Sequence, residues 1–235
     1  MPGALYDRPR LRLAGDRGLL VEYGDGIDPE VNRKVRAVAA VLGRERPVGI
    51  AELVPTYRSL LLVYDPLVTD PARLEQILDK LEGRLSGIPV PEPRTVTIPV
   101  CYGGEFGPDL AFVAESHGLT EDEAVRLHAG TTYPIYMIGF TPGFPFLGGL
   151  PGLLHTARLE TPRTAVPAGS VGIANNQTGI YPVASPGGWR LIGRTPLRLF
   201  DPGREDPFLY RAGDLIRFEP ITREEYDRLA REGGA

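Results

Sequence analysis

The chain of 235 residues is poor in several features, and each scarcity excludes a class of protein. Cys101 is its single cysteine, so no intrachain disulfide can form and a reducing compartment is expected. No apolar run approaches the ~18 residues that a membrane-spanning helix needs. The first 18 residues lack the apolar segment of a secretory signal peptide. We therefore predict a cytoplasmic protein that does not bind a membrane.

The chain also lacks the familiar motifs of nucleotide and acyl chemistry. It has no G-x-x-x-x-G-K-[ST] phosphate loop, no G-x-G-x-x-G after a strand and no G-x-S-x-G nucleophile elbow. His117, His128 and His155 are not spaced as metal ligands, so no metal site is expected. The net charge of −4 gives no reason to expect nucleic-acid binding. A Ser-His-Asp triad assembles from distant positions and stays open, without any local signal for one.

Glycine and proline, by contrast, are abundant, and in residues 133–200 they alternate with phenylalanine, tyrosine and tryptophan. Ordinary surface loops are polar because their backbone must stay solvated. Glycine lets the backbone approach a neighbour closely, and proline fixes φ. The pattern fits either a β-barrel whose corners need these residues or a rigid, partly apolar binding surface built from loops. The density of the pattern favours the binding surface.

The first ninety residues predict a small ββαββα domain, residues 1–90. Asp28 and Asp70 each precede a proline and an apolar pattern of helical spacing, which predicts two capped helices. Four short apolar runs predict an antiparallel sheet with both helices on one face, an α+β sandwich. The segment GIPVPEPRTV is stiff and extended because of its three prolines, so we place the domain boundary there.

The second domain, residues 94–235, is predicted to be mainly β. It begins with the strand TVTIPVCY, and Thr120 with Glu123 forms a capping box for a helix that ends near His128. From Tyr133 onward, short apolar runs separated by glycine and proline indicate a closed or sandwiched β structure. A second capping box in TREEYDRLAREG predicts a C-terminal helix. The whole chain is thus of the α+β class.

Three polar side chains are candidates for a site, each with a structural alternative. Arg163 and Arg194 each lie beside a proline in a turn, where a guanidinium could bind a carboxylate or phosphate through two hydrogen bonds. Equally, each could tie a loop down by donating to backbone carbonyls. His128, near a helix end, is interpreted as a structural cap in preference to an acid or base.

Two turns supply further candidates. Gln177 and Thr178 precede a glycine at a tight turn, where both side chains could bind a ligand or cap the turn. Ser185, Gly187 and Gly188 could expose backbone N–H groups as an anion-binding nest, for which a glycine pair alone is weak support.

Six segments make the chain similar to a known family: GGEFGPDL, YMIGFTPGFPFLGGL, TPR, VPAGSVGIANNQTGIYP, SPGGW and IGRTP. They resemble the allophanate hydrolase subunit 1 family, which includes the B-type subunit of bacterial 5-oxoprolinase and the kinase inhibitor KipI. The motifs run in order through residues 101–200, and the whole length resembles a complete stand-alone member. The resemblance implies a small N-terminal α+β domain followed by a cyclophilin-like β-barrel. A biotin-attachment motif and an amidase-type region are missing, unlike in full urea amidolyase.

The resemblance implies one component of an ATP-dependent 5-oxoprolinase, which opens 5-oxo-L-proline to L-glutamate. The partners would be a homologous C-type subunit, of the allophanate hydrolase subunit 2 family, and a ring-opening A-type subunit, of the LamB/YcsF family. ATP would activate the unreactive amide and would be held in complex with a partner subunit, so the isolated chain is expected to be inactive.

The resemblance leaves other functions open. One is inhibition of a sensor histidine kinase, with exposed aromatic residues as the contact surface. Another is a carboxyltransferase-type subunit of urea or allophanate metabolism. Peptidyl-prolyl isomerase activity would rest on fold analogy alone, which carries little weight.

The site expected from both arguments lies on the glycine- and proline-rich loops, and no residue is assigned a catalytic role. The candidates for binding substrate or nucleotide are His128, Phe140, Pro142, Gly143, Phe144, Phe146, Arg163, Gln177, Thr178, Tyr181, Ser185, Gly187, Gly188, Trp189 and Arg194.

Overall fold

The computed structural model of the protein describes residues 4–83 and 92–233. The chain divides into two compact units, Met1–Glu92 and Pro93–Ala235. The first half of the proline-rich segment at which we place the domain boundary, residues 87–91, lies outside the described residues.

The first unit is a four-stranded antiparallel sheet with two helices. Its elements are β1 (Leu5–Leu13), β2 (Gly18–Gly24), α1 (Pro29–Glu45), β3 (Ile50–Pro55), β4 (Ser59–Tyr64) and α2 (Pro71–Glu82). The strand order is β1-β2-β4-β3. The predicted ββαββα order is confirmed.

Local sequence signals explain where these two helices begin. The Asp28 carboxylate accepts a hydrogen bond from the Glu30 N–H at 2.8 Å, and the Asp70 carboxylate accepts one from the Arg73 N–H at 2.9 Å. In each case the proline that follows needs no hydrogen-bond acceptor for its nitrogen and already has a helical φ. Buried leucines and valines of both helices form one core with the inner face of the sheet.

The second unit contains nine strands, three α-helices and a short 3-10 helix, Gly152–Leu154, among residues 92–233. The strands and α-helices are β5 (Thr95–Tyr102), α3 (Leu110–Glu115), α4 (Glu121–Ala129), β6 (Thr132–Ile138), β7 (Pro145–Leu147), β8 (Arg163–Val166), β9 (Ser170–Ala174), β10 (Gln177–Ile180), β11 (Ser185–Gly187), β12 (Arg190–Arg194), β13 (Leu215–Pro220) and α5 (Arg223–Gly233).

Seven of these strands close into a barrel in the order β10-β7-β6-β13-β5-β12-β9. The remaining two, β8 and β11, pair with each other in a separate antiparallel sheet. The predicted α+β class with a C-terminal β-barrel is therefore confirmed. The capping box of α4 is confirmed as well, with Thr120 and Glu123 bonded reciprocally. Within residues 4–83 and 92–233, no helix combines the length and the hydrophobicity that crossing a bilayer requires.

Candidate functional site

An aromatic cleft of about 380 Å³ opens at one place on the second unit. We use the name aromatic cleft for the space lined by Phe140, Phe144, Phe146, Arg158, Pro162, Tyr181, Pro186, Gly187, Gly188 and Trp189. Its volume lies within the range of roughly 300–1,000 Å³ that is typical of small-molecule sites. Seven of these ten lining residues were predicted from the sequence; Arg158, Pro162 and Pro186 were not.

Phe144 organises the cleft. It follows the turn between β6 and β7, and its ring meets four other aromatic rings edge to face. The ring centroids lie 5.1 Å from Phe146, 5.4 Å from both Tyr181 and Trp189, and 5.6 Å from Phe140. Phe144 and Tyr181 are buried and form the floor, whereas Phe140 is 68% exposed and forms the rim. Burial also raises the pKa of Tyr181, so its hydroxyl stays protonated at neutral pH.

Two glycines are required where the aromatic rings pack against the backbone. A Cβ on Gly187 would collide with the Tyr181 hydroxyl. A Cβ on Gly179 would lie 3.0 Å from the Phe144 ring and 3.1 Å from the Trp189 ring. The glycine-rich sequence of this region is thus explained by close ring-to-backbone packing in the wall of the cleft.

The turn that carries Phe140 has an unusual backbone. Phe140 has a φ of +64°, a conformation that is rare for a bulky residue. Gly143, with a φ of +84°, is buried in the same turn, and its carbonyl accepts a hydrogen bond from the Tyr210 hydroxyl at 2.8 Å. Pro142 between them is exposed. Together these residues hold the Phe140 side chain at the rim.

Arg163 is already paired with a carboxylate. Its Nη2 donates to both oxygens of Asp109 at 2.9 Å, and its Nη1 donates to the backbone carbonyl of Trp189 at 3.2 Å. Asp109 also accepts a hydrogen bond of 2.6 Å from the Leu191 N–H. This arrangement favours the loop-tie alternative for Arg163, since its guanidinium fixes the backbone beside the cleft. Asp109 was missed because an aspartate at a turn before a helix is typical of an ordinary cap.

Arg194 does not line the aromatic cleft. Its guanidinium lies 5.6 Å from the centre of the Phe106 ring, and its side-chain stem lies beside Gly169. Its Nε is buried without a hydrogen-bond partner among the described residues, as is the Ser185 Oγ. The structure therefore does not bring Arg163 and Arg194 together as one anion site.

His128, on α4, and Thr178, on β10, are both buried and lie outside the cleft lining. Thr178 Oγ1 donates its single hydrogen to the Gly172 carbonyl at 3.0 Å, so it must accept from His128 Nε2 at 2.9 Å. His128 Nδ1 then accepts from the Tyr102 hydroxyl at 2.8 Å. Every polar atom of the imidazole is satisfied, which supports the structural interpretation of His128. Gln177, which begins β10, also lies outside the lining.

Comparison with known proteins places the chain in a family. The sequence pattern described as "Carboxyltransferase domain, subdomain C and D" matches residues 9–210. The chain belongs to this carboxyltransferase-domain family. The curated relatives of this family member include the B-type subunit of 5-oxoprolinase from Bacillus subtilis, 40% identical over 96% of this chain and 98% of that protein. The resemblance to the allophanate hydrolase subunit 1 family is thereby confirmed.

Other relatives of this carboxyltransferase-domain chain match over a shorter part of it or at lower sequence identity. The B-type subunit of 5-oxoprolinase from Escherichia coli O157:H7 is 58% identical over 55% of this chain and 60% of its own length. The urea amidolyase of Lachancea kluyveri is 26% identical over 94% of this chain but only 14% of its own length.

Solved structures confirm the architecture. TTHA0988, whose crystal structure is known, is 42% identical in sequence to this chain. The two structures superpose with a TM-score of 0.77, and the match covers 87% of this chain and 40% of TTHA0988. The Kluyveromyces lactis urea carboxylase, 22% identical, gives a TM-score of 0.75 over 99% of this chain and 24% of its own. At 22% identity, this second likeness shows only that the two proteins share a fold.

The buried imidazole of this carboxyltransferase-domain protein predicts acid sensitivity. Burial lowers the pKa of His128 to about 3 from an ordinary value near 6.5. Below pH 6.5 the His128 side chain binds a proton in the unfolded chain but stays neutral in the folded chain. The contribution of neutral His128 to the free energy of unfolding is therefore complete above pH 6.5 and decreases as the pH falls, by about 1.4 kcal/mol per pH unit.

We expect urea unfolding to show an extra loss of about 2 kcal/mol between pH 7 and pH 5 in wild type relative to His128→Gln. His155→Gln is the matched control for the same change of residue, because His155 is exposed and lies outside the buried hydrogen-bond network of His128. An identical pH slope in His128→Gln and wild type would contradict this assignment.

Proposed function

We propose that the chain is the B-type subunit of a 5-oxoprolinase, which opens 5-oxo-L-proline to L-glutamate together with a C-type and an A-type partner. The observation that carries this proposal is the 40% identity to the Bacillus subtilis B-type subunit over nearly the full length of both chains. The urea amidolyase relative is less similar, and the matched segment is 14% of its length. The higher identity and the nearly complete coverage of both chains therefore favour the 5-oxoprolinase role over a role in urea or allophanate metabolism.

The aromatic cleft supports this proposal because its chemistry suits a small ring. Phe144, Tyr181 and Trp189 offer apolar faces and edges that can enclose a five-membered lactam. Excluding water from a polar amide strengthens any hydrogen bond or charge that acts on it. The task of this chain is then to bind and orient the lactam.

ATP is the co-substrate that the family implies, and the aromatic cleft does not fit its triphosphate. A triphosphate carries several negative charges and needs several cations or free backbone N–H groups. Among the described residues that line the cleft, Arg158 alone carries a positive charge, and the neighbouring Arg163 is bonded to Asp109. We therefore place the nucleotide on a partner subunit, where it would supply the activation of the lactam carbonyl.

An exposed aromatic side chain supports the need for a partner subunit. Phe140 is 68% exposed at the rim of the cleft, although its backbone conformation is unfavourable. A residue held there at such a cost, typically ~1–3 kcal/mol, suits contact with a second protein. The cleft would then be completed and closed to water in the assembled enzyme.

The chain on its own should show no measurable opening of 5-oxoproline, with or without ATP. It should co-purify stably with a homologous barrel subunit when the two are expressed together. The reason is that neither a triphosphate site nor a candidate nucleophile lines the described cleft. Glutamate release can be followed by chromatography, and co-purification by size exclusion. Robust turnover by the single purified chain would overturn this proposal.

A further inference from the structure

The aromatic cleft contains a single charged side chain among the described residues, that of Arg158. Arg158 lies in the segment between β7 and β8, is exposed, and makes no hydrogen bond or ion pair within residues 4–83 and 92–233. The remaining lining is aromatic, proline or glycine. An unpaired guanidinium at the edge of an apolar cleft is suited to binding a ligand that carries one anionic group on an apolar body.

We propose that Arg158 is the specificity-determining residue of the aromatic cleft and binds the carboxylate of a small cyclic amide whose ring lies among Phe144, Tyr181 and Trp189. This inference rests on the proposed function, because it assigns a position to the carboxylate of 5-oxoproline. It also replaces Arg163 and Arg194 in the anion-binding role that the sequence suggested.

The other arginines near the cleft are occupied. Arg163 donates to Asp109 and to the Trp189 carbonyl. The guanidinium of Arg190 stacks 3.9 Å from the centre of the Phe112 ring, and its Nε donates to the Ala157 carbonyl at 3.3 Å. Arg158 thus has its full planar set of donors available for a carboxylate.

Electrostatics also requires a cation here. A carboxylate moved from water into a cleft of aromatic and proline side chains loses hydration that those side chains cannot replace. A charge-assisted hydrogen bond to Arg158 would recover part of that loss and would fix which end of the ring faces the rim. Removing such a bond typically weakens binding by about 10- to 100-fold.

The test compares two ligands in the assembled enzyme. 5-Oxo-L-proline carries the carboxylate, and 5-oxo-L-prolinamide has the same ring with a neutral amide in its place. We expect Arg158→Ala to raise the KM for 5-oxoproline about 10- to 100-fold with little change in kcat, as for loss of uniform binding. The affinity for the prolinamide, measured as KM or as an inhibition constant, should stay unchanged.

Two further variants control for structure. Arg158→Lys keeps the charge but loses the planar pair of donors, so its KM should fall between wild type and Arg158→Ala. Arg231→Ala removes an exposed arginine of α5 and should match wild type with both ligands. An equal loss of affinity for both ligands in Arg158→Ala, or no loss for either, would overturn the assignment.

Tryptophan fluorescence separates failure of this inference from failure of the proposed function. Trp189 is the only tryptophan of the chain and lines the cleft, so its emission reports directly on occupancy. If the assembled enzyme opened neither ligand, the proposed function would fail while the isolated chain could still be titrated. A response to 5-oxoproline that moves to about 10- to 100-fold higher concentration in Arg158→Ala supports the carboxylate site on its own. The same titration curve in wild type and in Arg158→Ala would overturn it.

Discussion

Replacing Phe144 by alanine should lower the free energy of unfolding by about 3–5 kcal/mol and abolish ligand binding at the aromatic cleft. The side chain is only 2% exposed, and its ring packs against those of Phe140, Phe146, Tyr181 and Trp189. Truncation leaves a cavity and removes four edge-to-face contacts that hold the other rings in position. Urea unfolding measures the first effect, and titration of Trp189 fluorescence with 5-oxoproline measures the second.

Phe140→Ala is the matched control for this experiment. Phe140 touches the same ring but is 68% exposed, so its removal should change stability by less than about 0.5 kcal/mol. It should nevertheless weaken complex formation or substrate binding, because it forms the rim. If Phe144→Ala unfolded more easily but retained wild-type kinetics in the assembled enzyme, the cleft would be part of the core only and not a binding site.

The second large effect is expected from Asp109→Ala. The carboxylate is buried and accepts hydrogen bonds from Arg163 and from the Leu191 N–H, so its loss leaves both donors without a partner. We expect the free energy of unfolding to fall by about 2–4 kcal/mol. This is less than the largest losses seen when a fully buried ion pair is broken, because the Arg163 side chain is 28% exposed. Since Arg163 also holds the Trp189 carbonyl, the Trp189 emission should shift to longer wavelength.

Asp227→Ala provides the comparison. Asp227 pairs with Arg223 on the surface of α5, at 44% exposure, and exposed pairs contribute about 0–1 kcal/mol. It should therefore leave both stability and Trp189 emission near wild type. A Trp189 spectrum that is unchanged in Asp109→Ala would show that the Asp109–Arg163 pair does not position the cleft.

The sequence predicted those parts of the fold that local chemistry determines. Asp28 and Asp70 cap their helices because an aspartate before a proline satisfies the free N–H groups of a helix start, whatever the rest of the chain does. The alternation of apolar runs and breakers predicted the β character of the second unit but left a closed or a sandwiched structure open, and the barrel was implied by the family resemblance. Which strands become neighbours in that barrel depends on pairing between distant segments, and no local pattern encodes it.

The candidate site was predicted in its apolar part and missed in its polar part. Phe140, Phe144 and Trp189 stand out because aromatic residues are unusual among glycine and proline. Arg158 and Asp109 do not stand out, since a loop arginine and a turn aspartate are common. What distinguishes them is the presence of a partner for Asp109 and the lack of one for Arg158 among the described residues, and only the folded chain shows that.

The measurement that tests the central claim most directly is glutamate formation from 5-oxoproline by the assembled three-component enzyme, with this chain present, omitted, or present as Arg158→Ala. We predict ATP-dependent release of glutamate with the wild-type chain and none when it is omitted. At 5-oxoproline concentrations well below KM, the Arg158→Ala enzyme should be about 10- to 100-fold slower. Equal turnover with and without this chain, or no turnover when all three components are present, would contradict its assignment to the 5-oxoprolinase.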